Sequence, residues 1–400
     1  MHPTDYAASD MPAILIALEL SKEAWLVASR TGNGPVRHKR LKGGDADGLE
    51  RLIAAERRRL GDRHAAVSVC YEVGYDGFWL HRRLARGGID CVVIDPTSLK
   101  IDRRAKHRKT DRIDVVSILN ALAGLKMGLP DACRPVRVPS VREEDAKRLG
   151  RERNRLHKER NAHSNRIKAL LAVHGVRGFH PNRGYKADRL AALRTGDGRP
   201  LPPRLVAELT REIARLNLVR EQIWTVEGER DALLSDHPEA TNDPVVREDR
   251  TPERMLQAAR QLRSLHSIGA EAATVLAREA FHRDFRNRRE VASYAGLTPT
   301  PYASGSVQRE QGIGKAGNPW IRRLMVELSW LWLRNQPDSA LSKWYKARSG
   351  TGMGSRKVGA VALARKLLVA LWRFVEFGVV PEGARLRGEP APNASVAANG

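Results

Sequence analysis

Apolar residues in the first third of the chain fall in short runs, and their spacing alternates between the period of a strand and that of a helix. AILIALEL (13–20) and AWLVASR (24–30) read as two strands. A turn around Gly32 and Gly34 leads to a third, VRHKRL (36–41). The helical period then runs from Asp47 to Leu60, with Asp45 placed to cap it. AAVSVCYE (65–72) reads as a buried strand, Tyr75–Arg86 as a helix, and CVVID (91–95) as a short strand stopped by Pro96. With a closing helix to about Leu125, the predicted order is β-β-β-α-β-α-β-α, which makes a mixed sheet covered by helices.

The pattern changes after Pro139. Val141–His174 reads as one long, charge-laced helix with Leu149, Leu156, Ile167 and Leu170 near heptad spacing. After a loop over 175–203, Leu205–Leu234 forms a second long helix, with Val206, Leu209, Ile213, Leu216 and Ile223 stepping by three, four and seven. Two such helices joined by a loop predict an antiparallel coiled-coil arm. From about Arg254 the pattern is compact and mostly helical, interrupted by a stretch rich in turn residues from Gly296 to Pro319. The expected organisation is an α/β domain over 13–130, an arm over 141–235, an all-α domain over 254–378 and a disordered tail over 381–400.

Composition narrows the function. The 400 residues contain 70 Lys and Arg against 46 Asp and Glu, a net charge of +24, which points to a polyanionic partner, most commonly nucleic acid. The three cysteines, Cys70, Cys91 and Cys133, are far apart and form no CxxC pair, which argues against a zinc site or a disulfide framework and fits a reducing cytoplasm. The apolar run at 13–18 ends at Glu19, too short for a signal-peptide core, and no stretch approaches the roughly 20 apolar residues of a membrane span. A soluble, cytoplasmic protein without a membrane partner is expected.

Four carboxylates stand out by position. Glu19 ends the first strand, Glu72 ends the buried strand, and Asp111 and Asp114 lie in KTDRID at helical spacing. Carboxylates at the ends of neighbouring strands can converge, and four together repel one another unless a divalent cation lies among them. Oxygen-only ligation suits Mg²⁺ or Mn²⁺, the ions of phosphodiester chemistry. The other reading of the same residues is four surface acids paired with nearby cations. Around the last two, IDRRAKHRKTDR sets six Lys and Arg against two Asp, so Lys109 and Arg112 are placed to hold phosphates.

The segment GLTPTPYASGSVQREQGIGKAGNPWIRR (296–323) carries the other candidate chemistry. Ser304 stands in a predicted turn beside Gly305, and the glycines from 312 to 317 form a predicted flexible loop opening into a helix near Asn318 and Pro319. Lys315, Arg322 and Arg323 next to a helix start suit phosphate, although a Gly-rich surface turn accounts for the same pattern. The segment does not match GxxxxGK[ST], which excludes an ATP P-loop. HSIGAEAATVLAREA (266–280) reads either as a helix-hairpin-helix turn whose amides hold a DNA phosphate or as a helical hairpin packed for its own sake. Most of the late tryptophans, Trp320, Trp330, Trp332, Trp344 and Trp372, are expected in the core.

Taken in order, ALELSK, YEVG, KTDRID, a helical arm, HSIGA and GLTPTPY-ASG-GIGKAGNPWIRR resemble the DEDD transposases of a large bacterial insertion-sequence family, over roughly residues 13–377. Some members of that family are bridge-RNA-guided serine recombinases. The resemblance implies an RNase H-like (RuvC-like) first domain with a metal-binding acidic tetrad, matched here by Glu19, Glu72, Asp111 and Asp114. It also implies a nucleophilic serine in an S-G motif, matched by Ser304. One departure is Glu19 in ALELSK where the family pattern G-I-D-x-S-K has Asp; the extra methylene moves the carboxylate by about 1.5 Å. The function so implied is a DNA transposase or recombinase working through a covalent phosphoserine with Mg²⁺ or Mn²⁺. Its expected partners are donor and target DNA and a structured guide RNA, and it is expected to act as a homodimer or homotetramer at the nucleoid. A metal-dependent junction nuclease using water, and a non-catalytic nucleic-acid-binding remnant, remain open on the residues alone.

Overall fold

A computed structural model describes residues 12–74, 76–99, 111–129, 131–181, 190–235, 252–304, 307–314, 316–349 and 352–388; within these, the side chains of residues 111, 301–304, 307–311 and 353 lie outside the description. Lys109 and Lys315 fall outside the described residues. The chain divides into two compact units, residues 1–140 and 141–400.

In the first unit, β1 (Ile14–Leu20), β2 (Ala24–Thr31), β3 (Arg37–Lys42), β4 (Val67–Glu72) and β5 (Asp90–Ile94) form one sheet in the order β3-β2-β1-β4-β5. β1, β4 and β5 are parallel, whereas β2 and β3 meander antiparallel to β1. Strand alternation divides the core in two. Ile14, Ile16, Leu18, Trp25, Val27, Val69 and Tyr71 face α1 (Ala46–Leu60) and α2 (Trp79–Arg86), while Leu15, Ala17, Ala28 and Cys70 face α3 (Asp111–Lys126). Asp45 caps α1 by accepting from the Gly48 amide, as its position predicts, whereas α2 begins at Trp79, later than the apolar pattern suggests.

Two polar anchors fix helices to this sheet. The buried Glu56 of α1 accepts from Ser29 and Thr31 of β2 and from Arg37 of β3. At the end of α3, the Lys126 ammonium lies 2.7 Å from Asp90, which also accepts the Ser68 hydroxyl. The Cys70 and Cys133 thiols donate to the Ile118 and Ala121 carbonyls of α3. All three cysteines are free, and burial raises each thiol pKa, Cys91 to about 12, so they act as small apolar residues with a weak donor.

In the second unit the helix expected over 141–174 is divided at Lys147 into α4 (Val141–Ala146) and α5 (Arg148–Val173). α5 pairs antiparallel with α6 (Pro203–Ser235): Leu156 packs with Val219, Ile223 and Val226, and Ile167 and Leu171 pack with Leu205 and Leu209. Arg153–Glu227, His163–Glu212 and Arg166–Glu208 bridge the two helices.

The rest is mostly helical around a main core, with a small second cluster of Tyr345, Ala360 and Leu363: α7 (Pro252–Ser264), α8 (Ala270–Val275) continuing into a π-helical turn to Ala280, α9 (Arg288–Tyr294), α10 (Pro319–Asn335), α11 (Ala340–Arg348) and α12 (Met353–Phe377). Of the five tryptophans expected there, Trp332 and Trp372 are buried, Trp320 and Trp344 half-buried, and Trp330 exposed.

Two expectations are corrected. The turn-rich stretch contains an antiparallel hairpin, β6 (Pro299–Ser304) and β7 (Val307–Ile313), because cross-strand pairing overrides its Gly and Pro content. The segment expected to be a loose tail from 381 is anchored as far as Gly388. Ala340 donates to the Glu382 carbonyl, Gln336 exchanges hydrogen bonds with the Arg385 backbone, and Arg387 donates to the carbonyls of Arg263 and Ile268. Among the described residues no helix is long and apolar enough to cross a membrane.

Candidate active site

β1 pairs with β4 as far as Leu18 and Tyr71, so the next residues on the two strands, Glu19 and Glu72, come side by side at the carboxyl edge of two parallel strands. Neighbouring strands are about 4.8 Å apart. Both residues alternate onto the α3 face and are half-buried, and the Glu19 Oε2 is enclosed. Crevices at the carboxyl ends of parallel strands are the usual ligand sites of such sheets.

α3 reaches the same edge. Its apolar stripe, Val115, Ile118, Leu119 and Leu122, packs on the sheet, and the half-buried Asp114 precedes it. Arg112, in the first turn, shares a groove of about 420 Å³ with Glu19, Ser21, Leu26 and the β3 residues His38, Lys39 and Arg40. The start of α3 therefore stands beside Glu19, with Asp111 as its first residue. Glu19 and Glu72 present carboxylate oxygens at this edge, which suit a hard divalent cation. Among the described residues no group of three metal-ligating side chains occurs, and the Asp111 side chain is not among them.

The predicted serine ends a strand. Ser304 is the last residue of β6 and pairs with Val307, where a turn was expected; Gly305 lies outside the described residues. The glycines that follow have a packing role. A Cβ on Gly317 would lie 2.2 Å from the Gly296 nitrogen and 2.4 Å from the Tyr294 carbonyl oxygen, so the approach to α10 is pressed backbone to backbone against the end of α9. Gly296 itself has φ +64°, and the Gly314 amide donates to the Thr298 carbonyl. Asn318 then caps α10 by accepting from the Trp320 and Ile321 amides, with Pro319 at the first helical position. Of the predicted phosphate-binding cations, Arg322 is half-buried and donates to the Ala295 carbonyl at 3.4 Å, whereas Arg323 is exposed and pairs loosely with Glu327 at 3.9 Å.

At the HSIGA turn Ser267 adopts φ +95° and Ile268 is fully buried, so the turn is fixed by packing. The sequence reading missed the cations of β3. Their signal was present in VRHKRL, three Lys and Arg with a histidine among six residues, but only pairing with β2 tells which of them share a face with Glu19.

Comparison with known proteins decides the family. Residues 259–344 match the family model described as Transposase IS116/IS110/IS902 family, and residues 21–175 match a second model described as Transposase, of the DEDD type. "Putative transposase y4rJ" of Sinorhizobium fredii is 45% identical over 386 residues, 94% of this chain and 96% of its own. The chain belongs to the IS116/IS110/IS902 family of transposases. Its similarity extends to the transposase for insertion sequence element IS1111A of Coxiella burnetii, 26% identical over 71% of each chain. The transposase for insertion sequence element IS1328 of Yersinia enterocolitica is likewise 26% identical, over 76% of this chain and 81% of its own. Within this transposase the DEDD match takes in Glu72, Asp111 and Asp114 and begins at Ser21, just past Glu19; the other match takes in Ser304, Lys315, Arg322 and Arg323.

Proposed function

We propose that this transposase cuts and rejoins DNA strands through a covalent bond between Ser304 and a DNA phosphate, with Glu19, Glu72, Asp111 and Asp114 as its second reactive group. The observation that carries the reading is the placement of Glu19 and Glu72 side by side on the α3 face, with the start of α3 beside them. A five-stranded mixed sheet with helices on both faces supports the RNase H-like assignment of this unit. The four carboxylates would hold Mg²⁺ or Mn²⁺, which when bound polarises phosphate oxygens and stabilises a leaving 3′-oxygen.

The Ser304 oxygen attacks a phosphorus and releases a 3′-hydroxyl. A 3′-hydroxyl from another strand then displaces the serine, so one phosphodiester replaces another and no nucleotide hydrolysis is needed. Lys315 and Arg323, which follow the serine in the same segment 296–323, would neutralise charge on the phosphate, and Lys109 and Arg112 would do so beside the carboxylates. Exchange between strands takes at least two serines, hence a homodimer or homotetramer, with the α5–α6 pair, read as a coiled-coil arm, as its contact. A structured guide RNA would supply target choice by base pairing.

The test is to express the full chain with its native flanking DNA and isolate protein–DNA adducts under denaturing conditions. A wild-type adduct that disappears in Ser304→Ala is the expected result. DNA breakage without an adduct, dependent on Asp111, would replace it with a nuclease using water; neither adduct nor breakage would leave a binding protein.

A further inference from the structure

β3 is an edge strand made almost entirely of basic residues, Arg37, His38, Lys39, Arg40 and Lys42, with Leu41 alone turned into the core. Lysines on an edge usually serve to discourage pairing with another sheet. The arrangement here is more specific. Arg37 faces the α1 side, where the buried Glu56 neutralises it at 3.3 Å. His38, Arg40 and Lys42 pair across β2 with Ala28, Leu26 and Ala24, so they stand on the opposite face, the face of Glu19 and Glu72. All three are exposed, and none has an acidic partner within salt-bridge distance among the described residues.

The register makes the relation to the carboxylates explicit. Arg40 opposes Leu26, Leu26 opposes Glu19, and Glu19 stands beside Glu72, so one row crosses the sheet from cation to carboxylate pair. Arg40 and Glu19 are two strand spacings apart, about 10 Å. The half-buried Leu26 floors the space between them, and Arg112 of α3 closes the same groove. Uncompensated cations held apart from, yet in line with, two carboxylates suit a chain of phosphates running past the carboxylates, one phosphate at the acids and its neighbour on the cations.

We infer that the groove between β3 and the start of α3 is a seat for the backbone of the DNA strand being cut, its phosphates held by Arg40, Lys42 and His38. The inference rests on the carboxylate row being a site of DNA chemistry, and it adds a substrate-positioning surface on a strand that carries no catalytic group. These residues contact phosphate and sugar, so they hold DNA without regard to sequence.

The test compares the full-length protein with Arg40→Gln/Lys42→Gln, with Arg58→Gln/Arg63→Gln as a control on exposed cations elsewhere in the first unit, and with Glu19→Gln. The probes are a single-stranded DNA and an RNA of the same sequence, titrated from 50 to 200 mM salt. The expected result is about tenfold weaker DNA binding by Arg40→Gln/Lys42→Gln and a salt slope shallower by about 1.4, since each lost single-strand phosphate contact removes about 0.7. Its melting temperature stays unchanged, the control pair binds as wild type does, and Glu19→Gln binds DNA but neither cuts nor joins it. Unchanged affinity and slope in Arg40→Gln/Lys42→Gln, an equal loss in the control pair, or a loss confined to RNA would each overturn the inference while leaving the carboxylate reading intact. Undiminished DNA chemistry in Glu19→Gln would instead overturn the carboxylate reading, and with it the seat's place beside the chemistry.

Discussion

The carboxylate row and the serine hairpin carry the two halves of one proposed chemistry, but they are built in different ways. The first stands on regular structure: Glu19 and Glu72 lie side by side near the carboxyl ends of adjacent strands of a five-stranded sheet, whose face is covered by α3, held by its apolar stripe, by two thiol-to-carbonyl contacts and by Lys126–Asp90. The second ends the first strand of a two-stranded hairpin, and the chain's approach from it to α10 depends on glycines that let backbone touch backbone. A substitution at the first site should therefore change chemistry with little effect on folding. One around the second should disturb both.

The sharpest test of that contrast is Asp114→Asn. It should lower DNA strand cutting and joining at least a hundredfold while shifting the unfolding free energy by less than about 1 kcal/mol, because Asp114 is half-buried at a helix start and supports no core contact. Activity and urea unfolding measured on the same preparation decide it; a large loss of stability would show that the carboxylates hold the fold together.

Gly317→Ala should do the opposite, destabilising the second unit by about 3 kcal/mol because its Cβ has no space between Gly296 and Tyr294. Gly312→Ala, in the same glycine run but with nothing within 4 Å, should stay within about 0.5 kcal/mol of wild type. Equal effects in urea denaturation would remove the packing explanation for Gly317.

Lys126→Met separates anchoring from chemistry within the first unit. The ammonium is buried but Asp90 is about half-exposed, so solvent takes over part of the lost partner and the cost should be about 1–2 kcal/mol. If α3 positions Asp111 and Asp114, activity should fall more than stability accounts for.

The smallest effect is expected in the α5–α6 pair. The hydrogen bond from His163 holds the Glu212 carboxyl below its usual value of 4.5, so its contribution is complete above that pH and is lost as pH falls through the lowered folded-state value. The melting temperature should fall on acidification below pH 4.5, and Glu212→Gln should flatten part of that fall.

Much of the first site was legible along the chain. Alternating apolar residues marked β1 and β4, so Glu19 and Glu72 were recognisable as strand-end carboxylates, and Asp45 was recognisable as a cap. The division at Lys147 was not legible, because Val141–His174 keeps one helical period across it. The β6–β7 hairpin was hidden because its stability comes from cross-strand pairs, while its local composition, rich in Gly, Pro and Ser, favours turns. Likewise Pro381–Gly388 has a tail's composition, and its order comes from Gln336 and from the C-terminal end of α7.

The sequence by itself determined which segments became strands and helices of the first unit and that acids stood at their ends, because those features follow from periodicity within a few residues. Tertiary structure decided which residues share a face and a row: Arg40 in line with Glu19 and Glu72, Arg37 turned away to Glu56, and Gly317 pressed against Gly296. These relations join residues tens of positions apart, and they are fixed by strand register and close packing, which a one-residue shift would undo without altering local composition.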